Sequence, residues 1–526
     1  MLMTRTDTTE LTLAEAPGLS GRMLRGVERV GNRLPHPFFL FLILAGLVAV
    51  ASAIAAGLGA TTIDPATGEV IPIRSILSAE GLVYAVSTAI ENFITFPPFG
   101  LIITVMLGIG VAERTGLLST FMRATVLSAP KWAVTYVVVF VSLMGNLASD
   151  TAVIILPPLA AAAFLAAGRH PLAGFITSYA AVIAGFSANV VPAGTDVLMS
   201  GITTSAAQIV EPGAEVSVLA NYYFFASSTV ILSITITFVC QRFLEPKLGT
   251  FVPPKNTLLP SALTPDSEAG PATSKERRAL LIATVAIVAY LAVLVVLLLL
   301  PGSALQGEGG AILRSPFMSS IPIFILFMFL VGGVTYGITA GTLTSWAQVP
   351  SMMTEAVKEL VPFIVVIFTA AQAIAWFSWS QIGLLLATGG ADAMEATGLG
   401  GIGGLMIFSI FVFVPALLLT SGSALWTLLA PIFVPMFMLN GVDPAYVQAA
   451  FRITDSASNP LVPMNPLLPV VLGLMQKWAP KGGLGTLFSL VMPFTIAIWG
   501  VWLLQLLVWG IFELPVGPGH SLMMGG

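Results

Sequence analysis

The chain contains 526 residues, of which 56% are hydrophobic and only 9% are charged. Soluble domains carry about 25% charged side chains, so this composition excludes an ordinary soluble protein and predicts a membrane protein. The 21 lysines and arginines and the 25 acidic residues leave a net charge of −4, which excludes the basic excess that nucleic-acid binding needs. One cysteine, Cys240, and three scattered histidines predict neither a disulfide nor a metal or haem cofactor.

Residues 1–36 are predicted to form a cytoplasmic tail, because several arginines precede the first apolar run and no cleavage site follows a short apolar core. Apolar runs of about 20 residues, the length that a helix needs to cross a bilayer, then recur along the chain. We predict nine crossings, near 38–58, 95–112, 172–199, 219–241, 279–300, 316–337, 360–388, 444–476 and 484–512.

Two further apolar stretches, 132–167 and 402–440, are each interrupted in the middle by small polar residues. Basic residues lie at both ends of the first stretch, Lys131 and Arg169, and the second stretch lies between acidic residues. Because lysine and arginine collect in cytoplasmic loops, each stretch is predicted to enter and leave the membrane on one side. The predicted fold is therefore an all-α polytopic membrane protein with nine transmembrane helices and two oppositely oriented re-entrant hairpins.

The two halves of the sequence repeat the same order of features. Residues 149–192 and 421–463 each contain a small polar turn, an apolar arm with proline, a Gly-x-x-Pro turn and then a helix broken at Asn189 or Asn459. Because one copy begins inside and the other outside, we interpret them as an inverted-topology repeat, which is typical of secondary transporters with a substrate site near the bilayer midplane. The predicted organisation is a tail at 1–36, a first half at 37–242, a cytoplasmic linker at 243–278, a second half at 279–512 and a tail at 513–526.

Ionisable side chains at membrane depth cost about 2.5–3.5 kcal/mol to insert and are therefore candidates for function. Asp150 follows Asn146 and Ser149 at the tip of the first hairpin, and Asp196 follows the predicted helix break at Asn189. Burial favours the neutral form of a carboxyl group, which suits a proton carrier as well as a hydrogen-bonded cap on a turn. We predict coupling to a proton or another cation through Asn146, Ser149, Asp150 and Asp196.

The second half carries the corresponding polar residues. Arg452 and Asp455 lie three residues apart on one helical face, so Asp455 is predicted to hold the guanidinium when the site is empty. Arg452 supplies a permanent positive charge for an anionic substrate, although the same pair would also serve for helix packing alone. Trp426 is either an apolar filler or an aromatic wall for the substrate. The predicted substrate-binding residues are Asn189, Ser421, Gly422, Ser423, Trp426, Arg452, Asp455, Ser458 and Asn459.

In these motifs the chain resembles the p-aminobenzoyl-glutamate transporter (AbgT) family of bacterial inner-membrane proteins. The resemblance is carried by residues 145–158, 188–206, 421–436 and 452–463, which occur in the family's order across nearly the whole chain. It implies a homodimer with a scaffold domain and a mobile transport domain, and transport of p-aminobenzoyl-glutamate or related folate-pathway and aromatic anions driven by the proton gradient. For some members it implies export of sulfonamide antimetabolites. The family's functional positions correspond here to Asp196, Ser423, Trp426, Arg452 and Asp455.

Two other functions fit parts of the sequence. The first is a Na⁺-coupled carrier of small carboxylates, with Na⁺ as its one cofactor. The more distantly similar divalent-anion carriers hold Ser-Asn-Thr at their hairpin tips, and the corresponding residues here are 149–151 and 421–423. An intramembrane aspartyl protease also needs two buried aspartates, but its usual Gly-x-Gly-Asp motif does not surround Asp150, Asp196 or Asp455. We therefore predict a transporter rather than an enzyme, with a small anionic molecule and membrane lipid as its partners.

Overall fold

The structure is a computed structural model that describes residues 35–63, 67–249, 271–313, 315–463 and 465–524, except for the side chains of Ser149 and Asp150. Most of the predicted tail at 1–36 and the middle of the predicted linker, 250–270, lie outside the described residues. Within the described ranges the one sheet is a short hairpin of two strands, β1 (Thr61–Ile63) and β2 (Val70–Pro72).

Helices make up nearly all of the remaining regular structure. In the first half they are α1 (Pro37–Gly57), α2 (Ala79–Ser87), α3 (Ala89–Ile94), α4 (Pro97–Arg114), α5 (Leu117–Leu127), α6 (Val134–Leu143), α7 (Ser149–Ala166), α8 (Pro171–Ala184), α9 (Gly194–Ala207) and α10 (Tyr222–Leu248). In the second half they are α11 (Ser274–Leu299), α12 (Pro316–Ser319), α13 (Ile321–Ala340), α14 (Gln348–Glu359), α15 (Val361–Trp379), α16 (Ile382–Thr397), α17 (Gly401–Leu418), α18 (Gly422–Leu439), α19 (Pro444–Ser458), α20 (Leu468–Gln476) and α21 (Leu484–Ile511).

Nine helices of the described part are long and apolar enough to span a bilayer. All but two of them coincide with predicted crossings, and those two, α17 and α18, are the arms of the predicted second hairpin. The predicted crossings at 172–199 and 444–476 are instead discontinuous helices. The all-α polytopic class is confirmed, and the small hairpin of β1 and β2 in the loop after α1 is an addition that was not predicted.

The helix α19 ends at the predicted break at Asn459, whereas α8 ends at Ala184, five residues before the predicted break at Asn189. After α8 the chain stays irregular until α9 begins at Gly194, and after α19 ends at Ser458 a single 3-10 turn begins at Asn459. Pro460 has no backbone N–H to donate, so α19 cannot continue regularly past Asn459, and Pro192 lies in the irregular segment between α8 and α9. Backbone groups freed at membrane depth need partners within the protein. The polar side chains of the two segments gather at these breaks.

The stretch 132–167 forms a hairpin, as predicted. Its arms are α6 and α7, and a 3-10 turn at Met144–Ala148 connects them. Arg169, which follows the second arm, donates a hydrogen bond from Nη1 to Thr135 Oγ1 at the start of the first arm. Both ends of the stretch therefore lie together on one side of the protein.

The stretch 402–440 forms the second hairpin from α17 and α18. Phe408 near the start of the first arm packs against Phe437 near the end of the second, with ring centroids 5.9 Å apart. The tip is closed by Ser421, whose Oγ accepts the backbone N–H of Ala424 at 3.3 Å and so caps α18. The two arms are thus antiparallel, and this hairpin also opens on one side.

The two broken helices approach each other from opposite sides. α8 begins at Pro171, beside the open end of the first hairpin, and α19 begins at Pro444, beside the open end of the second. Ser187, just after α8, and Ser456, near the end of α19, contact each other with hydroxyl oxygens 2.8 Å apart. The helices therefore end together in the middle of the protein, as an inverted repeat requires.

The two Gly-x-x-Pro turns have the same local structure. Gly168 and Gly441 have φ angles of +80° and +78°, a conformation that favours glycine. His170 and Asp443 each cap the next helix by accepting the backbone N–H two residues further on. Burial lowers the pKa of His170, so its imidazole is neutral and able to accept at pH 7. The repeat seen in the sequence thus extends to backbone conformation.

Cysteines at Thr273 and Ala396 test the sidedness of the two halves. Both positions are exposed, and Cys240, the single native cysteine, is fully buried and gives little background. Because the positive-inside rule puts the two positions on opposite sides, we expect a membrane-impermeant maleimide to label Thr273→Cys only from the cytoplasm and Ala396→Cys only from outside. Labelling of both variants from one side would contradict the inverted topology.

Candidate functional site

An arginine–aspartate ion pair lies where the broken helices meet. Arg452 Nη2, in the middle of α19, is 2.8 Å from Asp196 Oδ1 at the start of α9. The two side chains are only 2% and 8% exposed. Two charges at this depth lose their hydration, and they are stable only if further contacts satisfy their remaining donors and acceptors.

Two other groups contact the Arg452 side chain directly. Its Nε donates a hydrogen bond to Ser187 Oγ at 3.3 Å, and its guanidinium stacks over the Phe225 ring, 4.2 Å from the centroid. Ser187 in turn contacts the hydroxyl of Ser456. A planar guanidinium suits this combination of stacking and hydrogen bonding better than an ammonium would. The cation is therefore fixed in position before any substrate arrives.

Asp196 is the third residue of α9 and lies at its amino end. Its Oδ2 accepts the backbone N–H of Ala193 at 2.7 Å and a hydrogen bond from Asn189 Nδ2 at 3.3 Å. The free N–H groups and the dipole of a helix amino end favour a carboxylate there. Two of the predicted site residues, Asn189 and Asp196, thus belong to one cluster with Arg452.

The predicted pairing of Arg452 with Asp455 is wrong, because Arg452 pairs with Asp196. Asp455 lies against the amino end of α18, where a β-carbon added to Gly422 would collide with its carboxylate. Side chains three residues apart share a helix face, but each of these two has a better partner on a neighbouring helix. The carboxylate is attracted to the free N–H groups of α18, and the guanidinium is attracted to the carboxylate of α9.

The tip of the second hairpin presents small polar groups beside Asp455. The hydroxyl oxygens of Ser421 and Ser423 are 3.1 Å apart. Ser458, one turn after Asp455, donates its hydroxyl hydrogen to the Asp455 carbonyl at 2.9 Å and so contacts its own helix. Asn459 opens the 3-10 turn at the end of α19. The tip therefore offers hydroxyl groups and a carboxylate in a small volume.

Trp426 is fully buried, one turn beyond the tip. Its ring stacks on Phe451 with centroids 4.6 Å apart, and its Nε1 donates a hydrogen bond to Thr203 Oγ1 at 3.0 Å. Thr203 in turn donates to Gln448 Oε1 at 2.6 Å. The indole connects α18 to α9 and α19 and fills the space between them, whereas a contact with the substrate stays a prediction.

Six residues of this cluster were not predicted: Ser187, Thr203, Phe225, Gln448, Phe451 and Ser456. For Gln448 a signal existed, because Gln448, Arg452 and Ser456 are spaced four residues apart and so lie on one face of α19. Phe225 and Thr203 carry no such signal, since an aromatic or a threonine within a crossing helix is common. Their roles depend on contacts between helices that are distant in sequence.

The candidate coupling residues of the first hairpin lie at its own tip. Asn146 Nδ2 donates to the carbonyl of Phe186, just beyond α8, and so ties the tip to the first helix break. The side chains of Ser149 and Asp150 lie outside the described residues. Thr151, which follows them, donates a hydrogen bond to Glu113 on α4 at 2.9 Å.

No group of three or more histidine, cysteine, aspartate or glutamate side chains suited to a metal ion occurs in the described ranges.

A cavity of about 290 Å³, here called the inner cavity, opens beside the tip of the second hairpin. Its polar lining includes Ser421, Ser423, Thr427 and Glu359, and its apolar side includes Phe96 and Phe363. This volume is close to the lower end of small-molecule sites, about 300–1,000 Å³. The mixed lining suits a flat aromatic ring that carries polar substituents.

We expect Gly422→Ala to lower the transport rate by at least about tenfold, which corresponds to ~1.4 kcal/mol. The added methyl group must displace the Asp455 carboxylate, and overpacking of this kind costs about 1–3 kcal/mol. Gly403→Ala in α17 is the matched control, because a β-carbon there meets no atom within 4 Å. Equal uptake rates in the two variants would mean that the contact between Asp455 and the tip has no role in transport.

A buried ion pair at the junction of two broken helices, between two oppositely oriented hairpins, is the architecture of a secondary transporter. Similarity to known proteins gives the family. The model of the AbgT transporters matches residues 22–524, and the chain belongs to this family. It is therefore a multi-pass membrane transporter and not an enzyme.

The relatives match nearly the whole chain. A p-aminobenzoyl-glutamate transport protein of Escherichia coli (strain K12) is 39% identical over 505 residues, which are 95% of this chain and 97% of the relative. The YdaH transporter of Alcanivorax borkumensis is 33% identical with a TM-score of 0.85, covering 92% of this chain and 100% of its own. MtrF of Neisseria gonorrhoeae, from a class of antimetabolite efflux pumps, is 35% identical with a TM-score of 0.89, covering 95% and 100%.

Proposed function

We propose that this protein transports p-aminobenzoyl-glutamate or related folate-pathway and aromatic anions, coupled to the proton gradient of the bacterial inner membrane. The observation that carries the proposal is the buried pair of Arg452 and Asp196 where the broken helices meet. The substrate is supported by the similarity to the p-aminobenzoyl-glutamate transport protein of Escherichia coli, which extends over nearly all of both chains.

The ion pair provides a way to couple an anion to a proton. A substrate carboxylate that binds the guanidinium of Arg452 must displace Asp196, because the buried cation has its carboxylate partner at 2.8 Å. The released Asp196 carboxylate would be a buried charge without its partner, and we propose that a proton compensates it, because an unpaired buried charge is costly. The net charge of the site is then the same before and after binding, and the anion and the proton enter together.

The hairpin tip and the inner cavity supply the remaining contacts. Ser421 and Ser423 offer hydrogen bonds to amide or amino groups, and Phe96 and Phe363 pack against an aromatic ring. An uncharged sulfonamide has the ring but not the carboxylates, so it would use the inner cavity alone. Export of sulfonamide antimetabolites is therefore a second activity of the same cavity, favoured by the similarity to MtrF.

Uptake into proteoliposomes tests the proposed coupling. The purified protein is reconstituted with labelled p-aminobenzoyl-glutamate outside, and proton and sodium gradients are imposed separately. We expect accumulation under an inward proton gradient and none under a sodium gradient alone. Accumulation with sodium alone would favour the alternative, a Na⁺-coupled carrier that binds its cation between Asp455 and the hydroxyls of Ser421 and Ser423.

The homodimer is proposed from the resemblance to the family. The apolar helix α11 has only Ala279, Ala283 and Leu298 buried within the protomer, so most of its surface contacts lipid or a second copy. Light scattering of the purified protein in detergent measures the mass directly. We expect twice the chain mass of 55.0 kDa, and the chain mass alone would contradict the dimer.

A further inference from the structure

Two cavities of the protein have one lining residue in common. The larger cavity, about 660 Å³, is lined by charged residues near the ends of α4, α5, α11 and α14, and we call it the vestibule. The smaller is the inner cavity at the tip of the second hairpin. Glu359, the last residue of α14, lines both and is the residue that they share among those described. Glu359 therefore borders both cavities.

Glu359 forms an ion pair with Arg114, the last residue of α4, with Oε1 and Nη2 2.5 Å apart. The Glu359 side chain is 53% exposed and that of Arg114 is 22% exposed, in contrast to the buried pair of Arg452 and Asp196. Exposed ion pairs contribute little net stability, so the partners separate readily. The backbones on either side are fixed by the close packing of α14 against Gly110 of α4. The pair is thus easily opened between rigid helices.

Arg114 lines the vestibule, and its guanidinium has Glu359 as its ion-pair partner. Its Nη1 is buried and makes no hydrogen bond to any described residue. Arg123, which also lines the vestibule, is engaged by Glu276 at 2.7 Å. A guanidinium binds a carboxylate or sulfonate most strongly through two parallel N–H groups. Of these two cations, Arg114 is the one whose partner, Glu359, also lines the inner cavity, so it lies where the two cavities share a residue.

We propose that Arg114 is a second carboxylate-binding residue and that its pair with Glu359 is a gate between the vestibule and the inner cavity. This inference rests on the proposed function, because it assumes an anionic solute. The anion displaces Glu359 from Arg114 as it passes, and Glu359 returns when the anion has left. A neutral or cationic solute gains no contact with Arg114, so the gate favours negative charge.

A cysteine in the inner cavity tests the gate without any transported substrate. Ala424 lines that cavity, and Cys240, the single native cysteine, is fully buried. In Ala424→Cys protein in detergent, the labelling rates of an anionic sulfonatoethyl and a cationic trimethylammonioethyl methanethiosulfonate are compared. We expect Arg114→Gln to lower the anionic-to-cationic rate ratio roughly tenfold and Glu359→Gln to raise it, because charge in a cleft changes the approach rates of ions by about 10- to 1,000-fold.

Two matched controls separate the gate from a general effect of surface charge. Lys358 and Glu355 form an ion pair at 2.6 Å on the same helix but line neither cavity, so Lys358→Gln and Glu355→Gln should leave the ratio unchanged. Arg114→Lys keeps the charge and should keep most of the ratio. A wild-type ratio in both Arg114→Gln and Glu359→Gln overturns the gate, and so does an equal shift in the control variants.

Transport of p-aminobenzoyl-glutamate distinguishes a failure of the gate from a failure of the proposed function. If the wild-type protein carries this substrate and the labelling ratio does not respond to Arg114 and Glu359, the gate is wrong and the proposed function stands. If the ratio responds as expected but the wild-type protein carries no p-aminobenzoyl-glutamate, the gate stands for another anion and the proposed substrate is wrong.

Discussion

Arg452→Ala is expected to abolish transport of anionic substrate and to lower the free energy of unfolding by about 3 to 5 kcal/mol. Alanine removes the cation but leaves the Asp196 carboxylate in a site where its side chain is only 8% exposed. An uncompensated charge of this kind is the main cost, and the stacking of the guanidinium on Phe225 is lost as well. Uptake by proteoliposomes and thermal unfolding in detergent measure the two effects.

The double variant Arg452→Ala, Asp196→Ala separates substrate binding from helix packing. Removing both charges leaves no unpaired group, so we expect most of the stability to return, because replacing a whole buried ion pair is often neutral. Transport should stay absent, since no cation remains for the substrate carboxylate. Recovery of both stability and transport would show that the pair only holds the helices together.

Much of the fold could be predicted because its signals are local. The prolines and small polar residues at 189–196 and 456–463 mark the helix breaks, and the charges beside 132–167 and 402–440 mark the open ends of the hairpins. The crossing predicted at 360–388 is too long, because α15 ends at Trp379 and Gln381 adopts a left-handed φ of 66°. The apolar residues continue into α16, so hydrophobicity alone does not reveal that turn.

The composition of the site could be predicted better than its geometry. Spacing along one helix indicated Asp455 as the partner of Arg452, but the partner is Asp196 in the other half of the chain. That contact exists only because α9 packs against α19 in the folded protein. The hydrogen-bond partner of Trp426 could not be predicted from the sequence for the same reason, since Thr203 contacts the indole from α9.

Asp196→Asn is expected to uncouple transport from the proton gradient. In the proposed mechanism, a substrate carboxylate displaces Asp196 from Arg452 and a proton compensates the released carboxylate, so accumulation follows an imposed pH difference. Asparagine keeps the shape of the side chain but carries no charge and cannot titrate. Substrate binding to Arg452 should then be tighter, because no carboxylate competes for the cation, and its affinity should not vary with pH.

Two transport modes distinguish this expectation from a simple loss of function. Asp196→Asn vesicles should not concentrate substrate under an imposed pH difference, whereas counterflow exchange, which needs no net proton movement, should survive at least in part. Asp392→Asn on the exposed face of α16 is the control and should retain both modes. If Asp196→Asn vesicles still concentrate substrate against its gradient, Asp196 is not the coupling residue. The role would then pass to Asp150 at the tip of the first hairpin or to Asp455 beside the tip of the second, because a proton-driven carrier needs a titratable group that the substrate can reach.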